Sequence, residues 1–148
     1  MPLCSAGAAR RERLEVAGRC PGAVDLSGQT TLSELAALVL RSAVCVTNDS
    51  GSMHLAVAMG RPVVSVFGPT DPLWIGPYRR PQSVVRVELP CSPCYFRKLS
   101  RCPYDHRCMT QVTPETVIDR MEQVLAAERV AVLRGVSAPI PESVPAAV

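Results

Sequence analysis

A chain of 148 residues, 47% of them hydrophobic, holds enough apolar side chain for one domain with its own core and is too short for two. A net charge of +3 and an aromatic content of 4% argue against a nucleic-acid-binding stripe, because the cations (Arg10, Arg11 and Arg13; Arg79 and Arg80; Arg97, Lys98 and Arg101) are scattered rather than gathered. No run approaches the about 20 apolar residues of a bilayer span, and Arg10 to Arg13 deny the N-terminus a secretory apolar core, so a cytoplasmic location is expected.

In chain order, residues 1–6 read as the stub of a strand, and Ala8 to Ala17 as a charged helix broken between Gly18 and Gly22. Val24-Asp25-Leu26 follows as a short strand. Thr31-Leu32-Ser33-Glu34 has the form of a capping box, and Leu32, Leu35, Ala36, Leu38 and Val39 continue it at helical spacing. Ala43 to Thr47 is a β-branched run of strand length. A polar turn, Asn48-Asp49-Ser50-Gly51, leads into a helix from about Ser52 to Met59, stopped by Gly60. Pro62 to Phe67 and Ser83 to Glu88 read as further strands, separated from the last helix by a Cys- and Pro-containing loop over 89–111. Thr113-Pro114 opens that helix with proline at its first position, and it runs to about Leu133. Residues 135–148, with Pro139, Pro141 and Pro145, are expected to be a disordered tail.

Apolar strands alternating with helices specify an α/β domain, a Rossmann-like parallel sheet with helices on both faces, over residues 1–134. Such a domain opens with a full strand, and six ambiguous residues stand there instead, so the front reads as truncated. Ligands of open parallel sheets bind outside the carboxyl ends of the strands. Two loops there carry unusual residues: Asn48 to His54, and Phe67-Gly68-Pro69-Thr70-Asp71-Pro72. The first suits a diphosphate. Gly51 permits close backbone approach, the helix behind it presents free amides and partial positive charge, and Ser50 and His54 add donors. Asp49 is suited to sugar hydroxyls. The competing reading is purely local, with Asp49 or Ser50 as a helix cap and His54 a partly buried bystander.

The succession Asn48-Asp49-Ser50-Gly51-x-Met53-His54-Leu55-Ala56-x-Ala58, then Gly60-x-Pro62-Val63-Val64-x-Val66-Phe67-Gly68-Pro69-Thr70-Asp71-Pro72, resembles the C-terminal domain of glycosyltransferase family 9. Asp25 to Leu32 looks like that family's leucine-x-glycine-x-threonine segment. Cys91-Ser92-Pro93-Cys94-Tyr95, Cys102-Pro103, His106 and Cys108-Met109 are similar to the cysteine loop of some members. The resemblance covers about residues 24–125. It implies the donor-binding half of a two-domain GT-B, inverting enzyme that moves heptose from ADP-heptose to the lipopolysaccharide core. Asp49 would then meet the donor sugar, Ser50, Gly51 and His54 the diphosphate, and Thr30 the neighbourhood of the base. Gly68 to Asp71 would line the cleft. It further implies a carboxylate base in an N-terminal acceptor domain, a phosphate-binding lysine on a preceding strand, and no cofactor for catalysis. The expected partners are an ADP-heptose-like nucleotide sugar and, through the other domain, a lipopolysaccharide acceptor, with no nucleic acid. Membrane contact is expected to be at most peripheral, at the inner face of the inner membrane. One departure lies at the first helix, where Arg10 stands about where the family has a ribose-contacting glutamate and Glu12 comes two places late.

Seven cysteines is an odd and high count. Cys91-x2-Cys94-x7-Cys102-x5-Cys108 provides four thiols, which suits a structural tetrahedral Zn²⁺, free thiols, or, least in keeping with a cytosolic protein, disulfides. Cys4 and Cys20 read as incidental and Cys45 as a strand residue. A zinc-stabilised binding module without transferase activity is the alternative function. A serine hydrolase lacks support, since Ser50 and Ser52 stand in no G-x-S-x-G elbow.

Overall fold

The structure, a computed structural model, describes residues 2–3, 18–96 and 99–133. The expected helix at Ala8–Ala17, the Arg10/Glu12 departure and the tail at 135–148 lie outside the described residues. Strand β1 (Pro2–Leu3) pairs in parallel with β2 (Val24–Asp25), so the stub at the front is a strand two residues long. Beyond β2, the Asp25 carboxylate accepts the Ser27 amide at 2.9 Å and turns the chain.

Helix α1 (Leu32–Arg41) begins with the expected box. The Glu34 amide donates to Thr31 Oγ1 at 3.3 Å, while the Thr31 amide and hydroxyl donate to Glu34 Oε2 at 2.7 and 2.8 Å. Strand β3 (Cys45–Asn48), helix α2 (Gly51–Ala58) and β4 (Val63–Val66) follow. Gly60 ends α2 as anticipated. At φ +67° it takes the left-handed position, its amide donates to Val57 O, and the Arg61 amide donates to Ala56 O at 2.9 Å, the Schellman pattern. A short helix α3 (Pro72–Ile75) and a 3-10 turn (Pro81–Ser83) precede β5 (Val84–Val85). Within the cysteine loop lie a 3-10 turn (Leu99–Arg101) and helix α4 (Arg107–Thr110). Helix α5 (Pro114–Leu133) starts at the expected proline, with Thr113 Oγ1 accepting the Thr116 amide at 3.3 Å.

The strands form a two-stranded piece, β1-β2, and a three-stranded piece, β3-β4-β5, of the parallel α/β class expected. Strand β2 ends at Asp25, where the chain turns. All pairing is parallel, with Thr47 opposite Ser65 and Val66 opposite Val85. Strand β5 is narrower than the expected Ser83–Glu88 for a similar reason. The last bond from β4 is Phe67 N–H to Val85 O, after which the β4 chain turns away at Gly68.

The alternation of β4 sets two cores. Val63 and Phe67 pack with Val39, Met53 and Ala56 under α1 and α2. Val64 packs with Val44 and Val85 on the opposite face, covered by Val117, Met121, Val124 and Leu125 of α5. Helices thus cover both faces, as the apolar strands require. At the amino ends of the strands the connections are bonded to one another. Arg61 donates from Nε and Nη2 to Ser42 O at 3.1 and 2.7 Å, and Arg80 Nη1 donates to Arg61 O at 2.6 Å. These residues precede β4, β3 and β5 in turn, so two guanidinium groups join the three entrances.

Candidate functional site

The opposite, carboxyl end carries the candidate site. Asp49, Ser50, Gly51 and His54 are brought together on the junction between β3 and α2. Ser50 is extended (φ −159°, ψ 168°) and holds the N-cap position, yet its side chain makes no capping bond. Its hydroxyl instead lies 2.9 Å from Ser52 Oγ and donates to Asn48 O at 3.3 Å. The local reading of this serine as a helix cap therefore fails. Asp49 is half-buried and His54 is exposed, so His54 is no buried bystander either. Gly51 has a negative φ, and nothing lies within 4 Å of where a Cβ would project. Neither backbone conformation nor packing requires glycine there. What a side chain would obstruct is access from outside to the first turn of α2, whose amides and dipole favour an anion.

Thr30 is half-buried and stands one residue before the Thr31 cap, at the carboxyl end of β2. It lies on the connection from β2 to α1, on a different loop from the other four residues.

On the second loop, Asp71 has a specific local role. Its carboxylate accepts the Leu73 amide at 2.9 Å and caps α3, with Pro72 in the first turn. The Asp-Pro pair was the signal for this helix. Gly68 is buried, and a Cβ there would overlap Met109 Sδ and lie 3.2 Å from Cys108 Sγ. The cysteine loop, distant in sequence, is thus folded onto the site loop. Ser92 Oγ donates to Gly68 O at 2.6 Å, and the Cys94 and Tyr95 amides donate to Pro69 O at 2.9 and 2.8 Å. Tyr95, Asp105 and His106 hold left-handed backbones in this loop, at φ +54°, +51° and +53°. Such conformations persist only where surrounding contacts fix them.

Cys91, Cys94, Cys102 and Cys108 are free thiols. Burial pushes the Cys108 thiol above its ordinary value, and the neighbouring Cys94, Cys102 and Cys91 push it further. Among the described residues no three His, Cys, Asp or Glu side chains are grouped so as to hold a metal ion. Cys108 is buried against Gly68.

Two hydroxyls near these loops are in a state that the sequence does not disclose. Thr47 Oγ1, on β3 two residues before Asp49, and Thr70 Oγ1, on the second loop, are buried with no protein group to bond. An unpaired state is not readable from a sequence, since it depends on what surrounds the atom.

Residues 2–106 match the profile of glycosyltransferase family 9 (heptosyltransferase). Lipooligosaccharide heptosyltransferase 2 of Haemophilus influenzae is 32% identical over 103 residues, 70% of this chain and 30% of that protein. Lipopolysaccharide heptosyltransferase 1 of Pseudomonas aeruginosa is 30% identical over 135 residues, 81% of this chain and 37% of that protein. Among solved structures, E. coli ADP-heptose LPS heptosyltransferase II shares the fold, with a TM-score of 0.67 and 24% identity over 86% of this chain and 37% of that one. The chain spans about a third of the length of these relatives. The match takes in both loops at the carboxyl end of the sheet and most of the cysteine loop, and on it the chain belongs to glycosyltransferase family 9.

Proposed function

We propose that this chain is the donor-binding portion of an inverting glycosyltransferase of lipopolysaccharide core synthesis, and that its ligand is an ADP-heptose-like nucleotide sugar. The observation that carries this reading is the unobstructed start of α2, where Ser50 makes no side-chain cap, Gly51 faces open space and His54 is exposed. A diphosphate placed there meets backbone amides, the positive end of the helix and two side-chain donors. Asp49 accepts hydrogen bonds from the sugar hydroxyls, and Thr30 borders the base.

In the reaction an acceptor hydroxyl attacks the anomeric carbon and the bond to the diphosphate breaks, so negative charge grows on the departing ADP. Donors fixed beforehand at that position stabilise the charge as it forms. A carboxylate must take the hydroxyl proton. We assign that base, and the lysine that assists the phosphates, to the part of the two-domain enzyme outside this stretch. The chain alone then binds donor without turning it over.

Calorimetric titration with ADP, UDP and GDP tests the reading. Saturable ADP binding that weakens in His54→Ala supports it, and Asp49→Ala is expected to weaken a nucleotide sugar more than ADP. A folded protein that binds none of the three nucleotides overturns it. The spacing Cys91-x2-Cys94-x7-Cys102-x5-Cys108 favours a second reading, a zinc-stabilised binding module. Stoichiometric zinc in the purified protein without nucleotide binding would select that reading.

A further inference from the structure

A serine at a helix N-cap ordinarily turns its hydroxyl inward to accept an amide of the first turn. Ser50 does not, and what diverts it is another hydroxyl two residues along the chain. Ser52 Oγ lies 2.9 Å from Ser50 Oγ, nearer than the 3.3 Å between Ser50 Oγ and Asn48 O. The Met53 amide, one usual partner of a capping hydroxyl, donates to the Ser50 carbonyl at 3.1 Å instead. Residue 52 stands between Gly51 and Met53, at a place that the family resemblance leaves open. It is half-buried, beside the exposed Gly51.

The direction of each bond follows from the hydrogens present. A serine hydroxyl has a single hydrogen and two lone pairs. Ser50 gives its hydrogen to Asn48 O, so the contact between the two serines uses the hydrogen of Ser52, with Ser50 Oγ accepting. Ser52 thus anchors the Ser50 oxygen away from the helix amides. The bond that Ser50 itself donates is the weaker one. At 3.3 Å it is longer than an ordinary hydroxyl bond. A phosphate oxygen is a stronger acceptor than the Asn48 carbonyl. Rotation about the Cβ–Oγ bond redirects the Ser50 hydrogen without moving the oxygen, which Ser52 continues to hold. A hydroxyl that accepts one bond while it donates another is polarised into a better donor.

We infer that Ser52 is a positioning residue of the donor site, whose hydroxyl withholds Ser50 from the helix amides and frees the Ser50 O–H for the diphosphate. Ser52 acts through Ser50 rather than on the ligand. The inference rests on the reading of this junction as a diphosphate site.

The test is calorimetry with ADP, joined to thermal denaturation, on the full chain as parent, Ser52→Ala, Ser50→Ala and the double variant. Ser52→Ala is expected to weaken ADP binding roughly fivefold and to raise the melting temperature, because the released Ser50 hydroxyl falls back onto the helix as a cap. The opposite signs are the diagnostic, since a merely structural loss would lower both. Ser50→Ala is expected to weaken ADP roughly tenfold, and Ser52→Ala added to it to weaken ADP no further. Ser52→Thr, which keeps the hydroxyl, is expected to restore affinity to within about twofold of the parent. Circular dichroism verifies that each variant folds. A folded Ser52→Ala chain that binds ADP as tightly as the parent overturns the inference and leaves the donor reading standing. Losses that multiply in the double variant overturn it too, because Ser52 would then act without Ser50. A parent chain that binds no ADP removes the donor reading itself, and the inference with it.

Discussion

Two of the junctions where a strand feeds a helix finish their helices in opposite ways. At α1, Thr31 and Glu34 satisfy the free amides reciprocally, and the hydrogen bonds from the Thr31 backbone and side chain hold the Glu34 carboxyl below the usual carboxylate range. At α2, a residue type equally able to cap stands in the cap position with its hydroxyl turned to Ser52 and Asn48. One junction contributes to stability and the other leaves capping stabilisation unrealised. Forgoing a cap at a position where serine could provide it is the pattern of a surface reserved for a ligand.

The sharpest way to break this contrast is to close the open junction. Ser50→Asp supplies a capping carboxylate, expected to raise stability by about 0.5–1 kcal/mol in thermal denaturation. The same charge faces the proposed diphosphate and is expected to weaken ADP binding roughly a hundredfold, about 3 kcal/mol. A stabilised variant that binds ADP unchanged would remove the diphosphate from this loop. His54→Ala is the milder form, with affinity reduced roughly tenfold in calorimetry and the melting temperature unchanged, since His54 is exposed. At the closed junction the expectation inverts. Thr31→Ala is expected to cost about 1 kcal/mol of stability on denaturation and to leave ADP affinity intact.

The smallest effect is a pH dependence confined to α1. Because the folded-state value of Glu34 is depressed, its contribution is present above the ordinary carboxylate value and is lost as pH falls through the lower folded value. Acid denaturation of Glu34→Gln should therefore converge on that of the parent protein at low pH. A constant difference across the whole range would mean the carboxylate is not the group that matters.

What the sequence disclosed were features set by neighbours along the chain. Thr31 and Glu34, Gly60, and Thr113-Pro114 each mark a helix end through chemistry within a few residues, and each end falls where that chemistry places it. Val63 to Val66 announced a buried strand by its β-branched run, and the structure buries it on both faces. Features that depend on remote contacts were silent. Nothing in Gly68 shows that Met109 will lie against it, and nothing in Ser83 to Glu88 shows that the partner strand leaves after Phe67. The Asp71 cap is legible in the sequence, since an aspartate directly before a proline marks a helix start. Of the proposed site, four residues share one junction, because the segment Asp49 to His54 is local. Thr30 was joined to them by resemblance alone.

The arginine bonds at the far end of the sheet bear on how such a domain changes. Arg61 and Arg80 tie the entrances of β3, β4 and β5 through backbone carbonyls, acceptors that every residue type supplies. The frame is thus insensitive to which side chains occupy the exits, where Asp49 to His54 and Gly68 to Asp71 lie. Substitutions in the exit loops leave untouched the backbone carbonyls that the clamp at the entrances uses. Tolerance to substitution is therefore divided between the two rims, with Arg61 and Arg80 fixed by their bonds at one and the loops open to change at the other.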